Sequence, residues 1–176
     1  AKGFDWFGAY VVGFVTAVGG GTIRDILLDI KPFWLVQPSY LVITGLALLF
    51  TIVFRRHVVR LNHSLFFFDA VGLGLFVVVG VAKSYAGGFP WWVAVIMGTI
   101  TGSFGGLLRD VLIRETPLIF RTDFYASACM LGGVVYVLLG HYTQLPIEIV
   151  QFFSALSVLL LRVAVVLHIQ LPTFHP

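Results

Sequence analysis

One glycine-rich, charged phrase occurs twice in this chain, each time inside an apolar stretch long enough to cross a bilayer. The first copy reads Gly19-Gly20-Gly21-Thr22-Ile23-Arg24-Asp25 and the second Phe104-Gly105-Gly106-Leu107-Leu108-Arg109-Asp110, an offset of 109 − 24 = 85 positions. At that offset 14 of the first 40 residues are identical without a gap, including Phe4/Phe89, Trp6/Trp91, Gly13/Gly98, Thr16/Thr101, Pro32/Pro117 and Tyr40/Tyr125. Glycine weakens a helix, and a charged side chain at membrane depth is costly. Finding both together, twice, predicts a pathway through the protein built from two related halves.

The phrase lies in a membrane protein. Of the residues 59% are hydrophobic and 11% charged, against roughly half and a quarter in soluble domains. Six segments are apolar enough to span, about 6–28, 40–54, 65–85, 90–113, 124–140 and 147–168, and the connections between them are too short to separate domains. The fold class predicted is an all-α integral membrane bundle. It divides into a first repeat over 1–64, a second over 65–141, and a final helix with its tail over 142–176. Lys2, Arg55, Arg56, Arg60, Arg114 and Arg121 fall in one set of loops, and only Lys31 and Lys83 in the other. The positive-inside rule therefore puts the first set and the C-terminus in the cytoplasm.

The helix with Arg24 then runs outward and the helix with Arg109, three spans later, runs inward. That is an inverted-topology repeat about a pseudo-two-fold axis in the membrane plane. The second copy has a span before Phe89 with no partner before Phe4, so the natural protein is expected to carry one more N-terminal helix, seven spans instead of six.

Two readings of the glycines stand side by side. Gly19, Gly20, Gly21, Gly105 and Gly106 can kink or unwind their helices at a pore, freeing carbonyls that must face protein or water. They can also simply let helices approach closely, as expected for Gly72, Gly74, Gly132 and Gly133. Because neighbours on one helix do not face each other, the expected charge pairing is reciprocal, Arg24 with Asp110 and Arg109 with Asp25, either lining the pathway or pinning the crossing. Thr16, Thr101 and Ser103, one or two turns earlier, either line a wet path or bond their own backbone. Of the remaining intramembrane charges, Asp69 reads as a structural carboxylate or a pathway group, Lys83 as a snorkelling end, and Arg162 as paired inward. Trp6, Trp91 and Trp92 read as interfacial anchors.

Enzyme chemistry has no foothold. The five histidines (57, 63, 141, 168 and 175) lack metal-ligand spacing, and there is no nucleophile–base pair or phosphate loop. Nothing alternates basic and aromatic residues as a nucleic-acid surface does, and no cofactor is expected.

The doubled Gly-Gly-Gly-x-x-Arg-Asp phrase, the inverted three-span repeat and the short basic loops resemble the prokaryotic relatives of the trimeric intracellular cation (TRIC) channels, a group also described as predicted glycine transporters. The likeness runs from Phe4 to about Leu167, with Phe104 standing where the second copy's third glycine would fall. It implies a seven-helix protomer in a homotrimer in the prokaryotic inner membrane. It implies one ion path per protomer for potassium or sodium, lipid as a companion, and constrictions at Gly19–Gly21 and Gly105–Gly106. A carrier for a small zwitterion such as glycine is the alternative, and a structural membrane protein the third reading.

Overall fold

The computed structural model describes residues 5–54, 62–121 and 125–166, with side chains over 5–54, 69–120 and 125–164. Helix α1 (Trp6–Leu27) starts where the Asp5 carboxylate accepts a hydrogen bond of 2.7 Å from the Gly8 N–H, a side-chain cap on an otherwise unpartnered donor. After a short turn, α2 (Phe33–Val36) leads into α3 (Ser39–Val53). Then come α4 (Asn62–Ala86), α5 (Trp91–Leu112), α6 (Leu118–Arg121), α7 (Tyr125–Tyr142) and α8 (Ile147–Val166).

All six expected spans are therefore helices. Five are long and apolar enough to cross a membrane; α3, at 15 residues, is shorter. The protein is an integral membrane protein of all-helical class. Arg55, Arg56 and Arg60 lie outside the described residues, as do Lys2, His57, His168, His175 and the side chains of His63 and Arg121.

The 85-residue offset is written into the backbone. Helices α1 and α5 have the same length and start and end 85 positions apart, and so do the one-turn helices α2 and α6, which sequence periodicity did not foresee. Both long helices end alike. The N–H of Asp29 donates to the Ile26 carbonyl and that of Ile30 to Asp25; Arg114 to Val111 and Glu115 to Asp110 repeat the pattern. This double closure requires a left-handed residue just past the helix. Asp29 (φ 56°) and Arg114 (φ 57°) supply it.

Packing rests on close backbone approach, because lipid offers no hydrophobic drive for helices to associate. The buried cluster joins Leu73, Val77 and Val81 of α4, Ala94 of α5, Ala128, Cys129 and Tyr136 of α7, and Val150 and Val158 of α8. Gly132 lies against Val158 and the Ser154 carbonyl, and the Ser154 hydroxyl donates across to the Gly132 carbonyl at 2.8 Å. The closest pairings are α4 with α5 and α1 with α5, while α3 touches chiefly α1 and buries no residue. Trp6, Trp91 and Trp92 are exposed at helix starts, as anchors would be.

Candidate functional site: a cavity between two repeats

Helices α1 and α5 cross antiparallel. A Cβ on Gly20 would overlap the Thr101 carbonyl oxygen, and one on Gly105 would overlap that of Thr16. Since 16 + 85 = 101 and 20 + 85 = 105, these contacts exchange under the pseudo-two-fold. The two backbones touch where only hydrogen fits.

The expectation that these helices unwind at their glycines fails here. Both α1 and α5 stay α-helical through their glycines, so no carbonyls are freed by unwinding. Packing explains it: neighbouring backbone fills the room that the missing side chains leave, and the helical ladder is kept. Gly19 faces Leu108 and Gly21 faces Phe33, while Gly106 sits beside the Tyr125 hydroxyl.

Beside the crossing lies a cavity of about 680 Å³. From α1 it is lined by Thr16, Ala17, Gly20, Gly21 and Arg24, and from α5 by Thr101, Gly102, Gly105, Gly106 and Arg109. The second set is the first shifted by 85, position for position. Tyr40 and Tyr125 extend the correspondence. Helix α4 closes one side with Asp69, Gly72, Leu73, Phe76, Val79 and Lys83, a stripe with helical spacing. At 1.5 Å per residue the 14 steps from Asp69 to Lys83 extend about 21 Å, a large part of a hydrocarbon core of roughly 30 Å.

The charges pair differently from the expectation. Arg24 does not reach Asp110; its Nε and Nη2 donate to Oδ1 of adjacent Asp25 at 2.8 and 2.7 Å. Arg109 donates through Nε to Oδ1 of adjacent Asp110 at 2.9 Å. The facing rule for helix neighbours fails because both pairs sit in a last turn, where the incoming loop captures the carboxylate. The Phe33 N–H donates to Oδ2 of Asp25 and the Leu118 N–H to Oδ2 of Asp110, each at 3.0 Å and each eight residues on. The long arginine then folds round to its neighbour. Each Arg-Asp pair thus pins a helix end to its own following loop.

The two ends are chemically unequal. Lys83, read as a snorkelling residue, instead donates to both oxygens of Asp25 at 2.9 and 3.0 Å, with Phe33's ring 5.8 Å from its ammonium. Arg24 and Asp25 are buried, whereas the Arg109 side chain is 31% exposed. At the other end of the α4 stripe Arg162 pairs with Asp69 at 3.7 Å, the inward partner expected of it, and lies over the Tyr125 ring at 4.8 Å.

Thr16 and Thr101 line the cavity, yet their hydroxyls donate to the Val12 and Met97 carbonyls one turn back. Ser103 donates to Thr99, is fully buried and does not line the cavity. Tyr40 and Tyr125 were not singled out as lining residues, although their identity at the repeat offset was the available signal. Lys31, Phe33 and Phe76 had none. Among the described residues no cluster of His, Cys, Asp or Glu could hold a metal ion.

The family model described as "Glycine transporter" matches residues 1–56 and 66–141. The UPF0126 inner membrane protein YadS of Escherichia coli K12 is 45% identical over 173 residues, covering 97% of this chain and 84% of its own. A UPF0126 membrane protein of Vibrio cholerae is 38% identical over 176 residues, covering 97% and 72%. A solved structure reported under "Structural basis for conductance through TRIC cation channels" superposes with a TM-score of 0.90 at 36% identity, covering 99% of this chain and 87% of that one. The TRIC trimeric intracellular cation channel orthologue of Rhodobacter sphaeroides gives 0.80 at 32%, covering 93% and 96%.

Proposed function

The chain belongs to the family described as "Glycine transporter", and we propose that it is a cation channel whose path in each protomer is the cavity beside the α1–α5 crossing. The observation that carries this reading is the lining. Two inverted copies contribute matched residues to one continuous cavity, and the solved relatives with the same fold are described as cation channels.

The constriction of this proposed path is assigned to the cavity wall beside the Gly20–Thr101 and Gly105–Thr16 contacts. There Thr16 and Thr101, whose hydroxyl hydrogens point to their own backbones, keep oxygen lone pairs for a passing cation. Such oxygens replace part of an ion's hydration shell. Potassium, or sodium, is the permeant ion. The proposed assembly is a homotrimer, a reading supported by the word trimeric in the name of the Rhodobacter sphaeroides relative, set in inner-membrane lipid with its C-terminus cytoplasmic.

Transport of a small zwitterion fits the cavity less well. Lys83 and Asp69 are separated by about 21 Å of helix, far more than glycine can bridge, and Asp69, the carboxylate that would have to work with Arg109, is already shared with Arg162. Asp25 is fully buried and already bonded to Arg24, Lys83 and the Phe33 N–H.

Single-channel recording of the purified protein in a planar bilayer under a potassium chloride gradient tests the proposal. Unitary currents reversing near the potassium equilibrium potential are expected. A silent bilayer from folded protein, with labelled glycine accumulating in liposomes, would establish the carrier instead.

A further inference from the structure

The cavity has an unexpected electrical lining for a cation path. Four basic side chains reach it, Arg24, Lys31, Lys83 and Arg109, while Asp69 is the single carboxylate among its described lining residues. Resting on the channel reading above, we propose that Asp69 is the residue that makes the path select cations over anions.

The other intramembrane carboxylates cannot do this. The Asp25 side chain is 0% exposed and that of Asp110 6%. Asp25 gives one oxygen to Arg24 and Lys83 and the other to Lys83 and the Phe33 N–H. Asp110 gives one to Arg109 and the other to the Leu118 N–H. Both are consumed in fixing helix ends.

Asp69 differs on each count. Its side chain is 35% exposed, and its ion pair with Arg162 is long, 3.7 Å through Oδ2. Arg162 comes from α8, is buried, and is steadied by the Tyr125 ring. It approaches Asp69 from the protein side while the carboxylate keeps a face on the cavity. Lys83, about 21 Å along the same helix, is bonded to both oxygens of Asp25 and does not neutralise it. A cation passing the α5 end of the path, beside Arg109, meets the negative charge that offsets that arginine. Arg162 is a positioning residue; Asp69 is the group an ion would meet.

The test compares wild type, D69N and D69E by reversal potential under a potassium chloride gradient. Losing one unit charge near the ion should lower the potassium-to-chloride permeability ratio by at least about tenfold in D69N, given the Coulomb energy of a close pair at protein-surface dielectric. D69E should keep the ratio near wild type. Should D69N not fold, D69C modified after folding by sulfonate- or ammonium-bearing thiol reagents serves in its place, since native Cys129 is fully buried. The negative reagent should restore cation preference and the positive one reverse it. Wild-type currents whose ratio is indifferent to D69N, or to the sign of the reagent on D69C, overturn this assignment alone. A wild type without unitary currents overturns the channel reading and this assignment with it.

Discussion

Lys83 of α4 places its ammonium within 3.0 Å of both carboxylate oxygens of Asp25 at the end of α1, 58 positions away in the chain. This is the tie between two helices that otherwise touch little. Asp25 also receives Arg24 and the Phe33 N–H, so one buried carboxylate holds a helix end, a loop and a neighbouring helix.

Replacing Asp25 should therefore cost more than replacing its repeat partner. D25N leaves buried Arg24 without its anion and releases Lys83 as well, and breaking a buried pair costs about 3–5 kcal/mol. D110N strands only Arg109, whose side chain is 31% exposed and can be solvated. Thermal unfolding in detergent should rank wild type, then D110N, then D25N; equal unfolding temperatures for the two variants would refute the ranking.

Methyl groups at the crossing should separate the helices. G20A and G105A each drive a Cβ into backbone carbonyl on the opposite helix, a neighbour that cannot rotate away. Overpacking of this kind costs about 1–3 kcal/mol or more. Gly13, where an added methyl would meet nothing within 4 Å, should accept alanine without loss. The comparison of the three unfolding midpoints decides it.

Cys129 should report unfolding. It is the sole cysteine in the sequence, is fully inaccessible, and is bonded to the Tyr125 carbonyl. A maleimide fluorophore should label the native protein very slowly and the heated protein stoichiometrically. Rapid labelling of folded protein would contradict the packing of α7 against α4, α5 and α8.

Ser103 should be silent in transport. It is buried away from the cavity and bonded within its own helix, so S103A should leave unitary conductance unchanged. A changed conductance in S103A would move the path to the far side of α5.

The architecture was legible because repetition survives in the residues themselves. Trp6/Trp91, Gly20/Gly105 and Arg24/Arg109 fixed the 85-residue offset, and the helix ends follow it. The one-turn helices α2 and α6 were not legible, since four residues carry no hydrophobic period. The charge pairing was misread because it depends on the loop N–H groups of Phe33 and Leu118 turning back onto Asp25 and Asp110, which helix geometry alone does not encode. Glycine runs are ambiguous in sequence for a related reason: flexibility and tight contact require the same missing side chain, and only a neighbour such as Thr101 tells them apart.

The pseudo-symmetry stops at the charges. Matched backbone surrounds the cavity, but one end carries Lys83 beside Arg24 and the other Asp69 beside Arg109. Such a conduit has a front and a back. In a membrane where every copy points the same way, current driven inward and current driven outward would meet these charges in opposite order, so equal voltages of opposite sign need not carry equal current. The direction of that rectification, read from oriented proteoliposomes, would report which end of α4 faces which compartment.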